Sequence, residues 1–239
     1  MTISYKAGAV IPTRNESKCI GPLVKNSLNY VNKVIVVDNS SDNTAEIAES
    51  VGAEVIIGGN GKTDAIRIAQ NHVRMNPKKF RDYRTFIISD GDDTSDQRHF
   101  KKIREIIERG EVDCVLTTRW GPIEPEPKSF RRLNRVANKG LAYVVAFAYQ
   151  RPDMTDACPT LYGLTKKTFL EIPFISKGFA TECEVINYTL RNCNVEIFPI
   201  KLEKRDEETR TKLGYSNFIK IPANYLRFFG SNLLRGSHD

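Results

Sequence analysis

The stretch "KVIVVDNSSDNTAEIAESVG", residues 33–52, changes its hydrophobic period halfway along. Residues 34–37 are apolar and β-branched without interruption, the pattern of a strand covered on both faces. Asp38 ends that run, small polar residues turn the chain, and from Thr44 the apolar positions take helical spacing until Gly52 closes the helix. The Ser41-x-x-Thr44 start offers side-chain oxygens to the helix's free amides.

The same rhythm runs outward in both directions. "AGAVIPT" (7–13) is a strand and "ESKCIGPLVKNSLNYV" (16–31) a helix. "AEVII" (53–57) leads to "TDAIRIAQNHVRM" (63–75), then "YRTFIIS" (83–89) to "DQRHFKKIREIIERG" (96–110), and "VDCVLTT" (112–118) follows. Alternating strands and helices predict an α/β fold: a mostly parallel, Rossmann-like sheet with helices on both faces. In such sheets function collects beyond the carboxyl ends of the strands. The polar clusters Pro12–Glu16, Asp38–Asn43, Gly58–Lys62 and Asp90–Asp93 all fall there. The second half continues with a proline-rich loop and a helix over "RRLNRVANKGLAYVVAFAY" (131–149). "TDACPTLYGL" (155–164) is a loop entering a strand. Helices are expected over "KKTFLEI" (166–172) and "ATECEVINYTLRN" (180–192), then a strand in "VEIFPIKLEKR" (195–205).

At 239 residues and 40% hydrophobic content the chain can bury a full core, and no internal repeat divides it. No apolar run reaches the roughly 20 residues that span a bilayer, and "MTISYKAGAVIPTRNE" lacks the pattern of a secretory signal. Five scattered cysteines predict reduced thiols and a cytoplasmic setting. The net charge of +7 is concentrated in two acid-free runs, Lys128–Arg151 and Thr209–His238, which point to an anionic partner.

"FIISDGDDTSD" (86–96) drives a buried strand into a cluster of like charge. Close carboxylates repel, so a cation is expected there. Asp90 and Asp92, separated by Gly91, can offer oxygens to one Mg2+ or Mn2+ that completes its shell with water and substrate phosphates. Asp93 and Asp96 serve equally as helix caps. Asp38 suits a base or ribose contact, or a turn with Asn39 and Ser40. No Walker phosphate loop, GxGxxG or GxSxG is present.

Taken in order, "VIPTRNE", "VIVVDNSSDNT", "GNGKTDAIRIA" and "FIISDGDD" resemble the inverting family 2 glycosyltransferases of the GT-A fold. "TDACPTLYGL", "GFATECEV" and "KRDEETRTKL" narrow the likeness to the dolichyl-phosphate mannose and glucose synthases. Within that group it is greatest to short archaeal members that load the first N-glycan sugar onto dolichyl phosphate. The resemblance implies transfer of a hexose or N-acetylhexosamine from a nucleotide sugar, UDP-linked by preference, to a polyprenyl phosphate. Pro12, Thr13, Asn15 and Glu16 would line the nucleotide pocket, Asp38 would read the base, and Lys62 would lie beside it. Asp90, Gly91 and Asp92 would hold ribose, diphosphate and metal, with Asp92 among the catalytic set. Asp156 would sit near the sugar or acceptor phosphate, Glu182 and Glu184 would face the sugar, and Arg205, Arg210 and Lys212 would close over phosphates. Asn39, Thr94 and Thr160 depart from the usual pattern.

On this reading residues 1–214 are the transferase domain and 215–239 a basic amphipathic segment. "YSNFIKIPANYLRFFGSNLLRG" (215–236) interleaves aromatics and leucines with Lys220, Arg227 and Arg235, as a segment lying on an anionic membrane surface would. That would place the enzyme peripherally on the inner face of the cell membrane. Packing of the segment on the domain is the other reading. Trp120 either stacks on sugar or packs in the core. The rivals are a transferase with a soluble glycan or metabolite acceptor, a nucleotidyltransferase, and a basic nucleic-acid-binding module. The last would leave Asp90–Asp93 unexplained, so nucleic acid is not among the expected partners.

Overall fold

The computed structural model describes residues 5–92, 95–120, 132–176 and 180–200. Within them one seven-stranded sheet runs β3-β2-β1-β4-β6-β5-β7. Its strands are β1 (Lys6–Thr13), β2 (Lys33–Asp38), β3 (Glu54–Ile57), β4 (Tyr83–Ser89), β5 (Cys114–Thr118), β6 (Leu161–Thr165) and β7 (Val195–Pro199). The pairs β1–β2, β1–β4, β2–β3 and β5–β7 are parallel, while β6 runs antiparallel between β4 and β5. Helices α1 (Ile20–Ser27), α2 (Thr44–Ser50), α3 (Lys62–Met75) and α4 (Arg98–Glu108) connect the first five strands. They are followed by α5 (Arg132–Tyr149), α6 (Lys166–Glu171) and α7 (Thr181–Asn192).

The uninterrupted apolar strands follow from the two cores they feed. Val10, Ile35, Val37, Phe86 and Ile88 point to one face, where α3 (Ile66, Ala69, Val73), α5 (Val145), α6 (Phe169) and α7 (Val185, Ile186) pack. Their neighbours Ala9, Ile11, Val34, Val36 and Ile87 point to the other, under α1 (Ile20, Leu23), α2 (Ala48) and α4 (Phe100, Ile103, Ile107). Each fully buried Val, Leu, Ile or Phe contributes about 1.5–3 kcal/mol, and a strand with an α-helix on both faces has no solvent side on which to place polar residues. On β6, Gly163 admits α4: a Cβ there would lie 2.1 Å from Ile103 Cγ2.

Two local expectations are corrected. The first helix begins at Ile20 rather than near Glu16, because Glu16–Cys19 form a turn in which the Cys19 and Ile20 amides both donate to Glu16 O. The second helix is not capped by Ser41. Asp42 Oδ1 accepts from the Thr44 amide (3.1 Å) and hydroxyl (2.5 Å) instead. The proposed boundary at residue 214 and the segment 215–239 lie outside the described residues, as do Lys128, Asp93 and Thr94.

At the amino-terminal edge of the sheet Glu54 gathers three bases: Lys33 (3.0 Å), His72 Nε2 (2.6 Å) and Lys79 (2.5 Å). Burial favours the neutral acid, but Lys79 and Lys33 outweigh it and bring the Glu54 pKa down from 4.5 to about 2. A carboxylate whose folded pKa is depressed stabilises the fold above its unfolded pKa, and that contribution fades as pH falls from about 4.5 towards about 2. Urea unfolding across this range should show Glu54→Gln less stable than the unchanged protein at pH 7, with the gap closing by about pH 2. A gap independent of pH would contradict the assignment.

Candidate active site

Beyond the carboxyl ends of β2, β1 and β4, three loops are knitted together. Asp38 is buried, and its Oδ1 accepts from the hydroxyls of Thr13 (2.6 Å) and Ser40 (2.5 Å) while Oδ2 accepts from the Ser40 amide (3.2 Å). The Asn15 amide donates to Ser40 Oγ (2.7 Å), and Asn15 Oδ1 accepts from the Ser41 amide (2.9 Å). The Glu16 amide donates to Thr44 Oγ1 (2.9 Å). Asn15 adopts φ 56°, a left-handed conformation that Asn tolerates better than most residues. Asn39, where the resembled pattern has an acid, donates from its side chain to Gly59 O (2.9 Å) and so ties in the loop before α3.

The β4 end joins this platform through Gly91. A Cβ at that position would meet Thr13 Cγ2 at 2.8 Å and Pro12 O at 3.0 Å, so only glycine lets the chain pass this close to β1. Pro12, Thr13, Asp38, Asp90 and Asp92 therefore border one edge of the sheet. The Asp90 amide donates to Thr160 O (3.2 Å), which gives this second departure from the pattern a backbone role.

Lys62 is the first residue of α3. Its Nζ lies 2.5 Å from Asp90 Oδ1 and 2.5 Å from Glu182 Oε1, joining the β4 end to the start of α7. Burial opposes the lysine charge, yet Asp90 and Glu182 outweigh it and hold Lys62 protonated well above the usual range. For Asp90 the balance runs the other way. Burial raises its pKa, Lys62 opposes the rise, and Asp92 and Glu182 add to it, because several carboxylates share one ammonium. The fully buried Tyr162 hydroxyl has no hydrogen-bond partner among the described residues, and Lys62, Glu182 and Asp90 lie near enough to influence it.

This surplus of carboxylate oxygen fits a hard divalent cation. Among the described residues no group of three or more His, Cys, Asp or Glu side chains could hold an ion unaided. A pair such as Asp90 and Asp92 suits Mg2+ or Mn2+, which keep waters and take substrate phosphate oxygens.

Two acids expected at the sugar are engaged elsewhere. Asp156 is 1% exposed and receives Arg119 in a bidentate pair, Nε to Oδ2 at 2.6 Å and a terminal guanidinium nitrogen to Oδ1 at 2.7 Å. Asn138 (2.9 Å) and the Cys158 amide (2.9 Å) also donate to Oδ1. Burial would raise the Asp156 pKa, but Arg119 overcomes it and holds the carboxyl below the usual range. Glu184 is 2% exposed, and its oxygens accept from the amides of Ile175 (2.7 Å) and Ser176 (3.1 Å) and from the Ser176 hydroxyl (2.6 Å). It anchors the loop entered through Phe174, a buried bulky residue at φ 46°. In this structure both carboxylates are engaged with the scaffold: Asp156 with Arg119, Asn138 and the Cys158 amide, Glu184 with Ile175 and Ser176.

Arg119 is the residue the motifs missed. It directly follows β5, the strand-end position that singled out Asp38 and Asp90, and that placement was the available signal. Trp120 is buried, and the charges of Arg119 (5.7 Å), Arg135 (5.3 Å) and Lys139 (5.5 Å) surround its ring. Its place is in packing, with three cations around its ring. Arg205, Arg210 and Lys212 lie outside the described residues.

Residues 9–172 match the sequence model described as Glycosyl transferase family 2. "Glycosyltransferase AglJ" of Haloferax volcanii is 27% identical over 207 residues, 84% of this chain, which spans only 64% of that relative's length. "Protein RfbJ" of Shigella flexneri is 27% identical over 120 residues, 48% of this chain and 87% of that protein. The glucosyl-3-phosphoglycerate synthase of Mycobacterium tuberculosis was solved with Mn2+, UDP and glucosyl-3-phosphoglycerate. It aligns with a TM-score of 0.75 at 14% identity, over 95% of this chain and 81% of that one. The mannosyl-3-phosphoglycerate synthase of Rubrobacter xylanophilus aligns with a TM-score of 0.72 at 17% identity, over 98% and 76%. At these identities the two structures establish the GT-A, Rossmann-like fold.

Proposed function

The chain belongs to glycosyl transferase family 2, and from that membership we propose that it transfers a hexose or N-acetylhexosamine, with inversion, from a UDP-sugar to dolichyl or another polyprenyl phosphate. The observation that carries the reading is a pair of opposite charge clusters, linked by Arg119, which is near enough to Asp90 for their charges to interact. Asp90, Asp92, Lys62 and Glu182 suit a nucleotide diphosphate with its cation, and Arg119, Arg135 and Lys139 concentrate positive charge around Trp120. Family membership sets aside the nucleotidyltransferase and nucleic-acid readings. UDP and Mg2+ or Mn2+ accompany the solved glucosyl-3-phosphoglycerate synthase, which supports the same donor class here.

Asp90 and Asp92 would hold the divalent ion, which when bound supplies Lewis-acid stabilisation of charge on the departing diphosphate. Lys62 adds a fixed positive charge beside it. A phosphate monoester has a second pKa near 6 and is mostly dianionic at pH 7. Attack by its oxygen therefore needs no general base, consistent with Asp156 and Glu184 being committed to the scaffold. On this reading Glu182, 9% exposed and paired with Lys62, is the acid that would touch a sugar hydroxyl.

A lipid acceptor is supported by α5. Val136, Tyr143, Val144 and Phe147 are exposed along this helix, which carries Arg135 and Lys139 and no acidic residue. An apolar stripe with basic flanks suits an anionic membrane surface, where each Lys or Arg contributes about 1 kcal/mol. Among the described residues no helix is long and apolar enough to cross a membrane; the contact proposed here is peripheral, on the cytoplasmic face. The glucosyl-3-phosphoglycerate synthase of Mycobacterium tuberculosis was solved in complex with phosphoglyceric acid, so a soluble phosphorylated acceptor is the second reading.

The deciding assay offers UDP- and GDP-sugars with dolichyl phosphate in anionic or neutral vesicles, or with soluble phosphorylated acceptors. Transfer from a UDP-sugar to the lipid, faster on anionic vesicles and weakened by high salt, is expected. Transfer only to soluble acceptors would replace the proposed acceptor, and use of GDP-sugars alone would replace the donor.

A further inference from the structure

Lys62 is an unusual residue to find at the start of a helix. The amino-terminal end of a helix carries partial positive charge and disfavours a cation, and this side chain is only 20% exposed. It is held there by two carboxylates from distant parts of the chain, Asp90 and Glu182, each 2.5 Å from Nζ. Asp90 is also one of the two acids placed to hold the divalent ion. Lysine and metal thus draw on the same carboxylate.

We propose that Lys62 is a built-in counter-ion that substitutes for the divalent cation until the nucleotide sugar arrives, so that metal and donor bind together rather than metal first. The proposal rests on the nucleotide-sugar reading of this site. Before donor binds, the ammonium neutralises Asp90 and Glu182 and repels a second cation. The diphosphate brings its own negative charge, which offsets that repulsion and offers the ammonium a further acceptor. Coupling of this kind is reciprocal: nucleotide must tighten metal binding by the same factor as metal tightens nucleotide. Lys62 acts here as a positioning residue whose charge sets the order of assembly.

The test is calorimetric titration of Mn2+ alone, then of UDP, into the full chain and into Lys62→Met. Lys62→Met removes the charge while keeping length, and should bind Mn2+ alone about tenfold tighter or more, the scale expected for losing one nearby like charge. The gain in Mn2+ affinity that UDP confers should shrink correspondingly. Thermal unfolding should show the variant destabilised without metal and rescued more strongly by Mn2+ than the unchanged protein is. Lys62→Gln, which retains a hydrogen-bond donor, should give the same ordering if Lys62→Met does not fold. A lysine that merely joins α3 to α7 predicts lost stability with Mn2+ affinity unchanged or weaker, and that result in either folded variant overturns the proposal. Failure of UDP to bind the unchanged protein would instead overturn the nucleotide-sugar reading, because the metal-only titration is scored without it.

Discussion

Asp92→Asn is expected to lower sugar transfer by about two to three orders of magnitude, the scale of losing one contact to charge developing in a transition state. The substitution removes a charge and nearly preserves shape. The fold should survive, because Gly91 rather than Asp92 makes the close approach to Pro12 and Thr13. With one charged oxygen donor lost, the cation that balances the departing diphosphate is held less tightly. Turnover of the unchanged protein and the variant should be compared with circular dichroism and thermal unfolding alongside, and EDTA should abolish activity of the unchanged protein. Full turnover in EDTA, or an active Asp92→Asn protein, would end the metal assignment.

The largest loss of stability is expected from the buried pair between β5 and the loop before β6. Arg119→Met should destabilise by about 3–5 kcal/mol, because Asp156 is left charged and buried without its main partner. For a chain of this size that corresponds to a fall in Tm of about 10 °C. Arg119→Met combined with Asp156→Leu should recover much of the loss, since two apolar residues carry no desolvation cost. Chemical unfolding of the two single variants and the double closes the cycle. Additive losses would mean that the two side chains do not act as a pair. The Asn138 contacts to Asp156 and to the Ala157 amide (3.1 Å) predict that loosening the pair also disturbs α5, and with it Arg135 and Lys139.

How far this molecule could be read in advance depended on the range of the interaction involved. The strand and helix over residues 33–52 declare themselves through periodicity, a property of neighbours in sequence, and β4 falls on the seven residues its pattern marked. The strand-end placement of Asp38 and Asp90 follows from the same local rule, and with it the edge of the sheet at which the site forms. Local pattern could not reveal that β6 runs antiparallel between β4 and β5. "LYGLT" is compatible with either direction, and strand order is decided by packing, where Gly163 lets α4 settle against the sheet. Nor could it separate the acids of the second half. Asp156, Glu182 and Glu184 are alike as letters, and each sits in a plausible motif. A carboxylate's role is set by the donors within about 3 Å, and these come from Arg119, Lys62 and the Ile175–Ser176 backbone, up to 120 positions away. Only the folded chain brings those donors to the acids, pairing Glu182 with Lys62, Asp156 with Arg119 and Glu184 with the Ile175–Ser176 backbone.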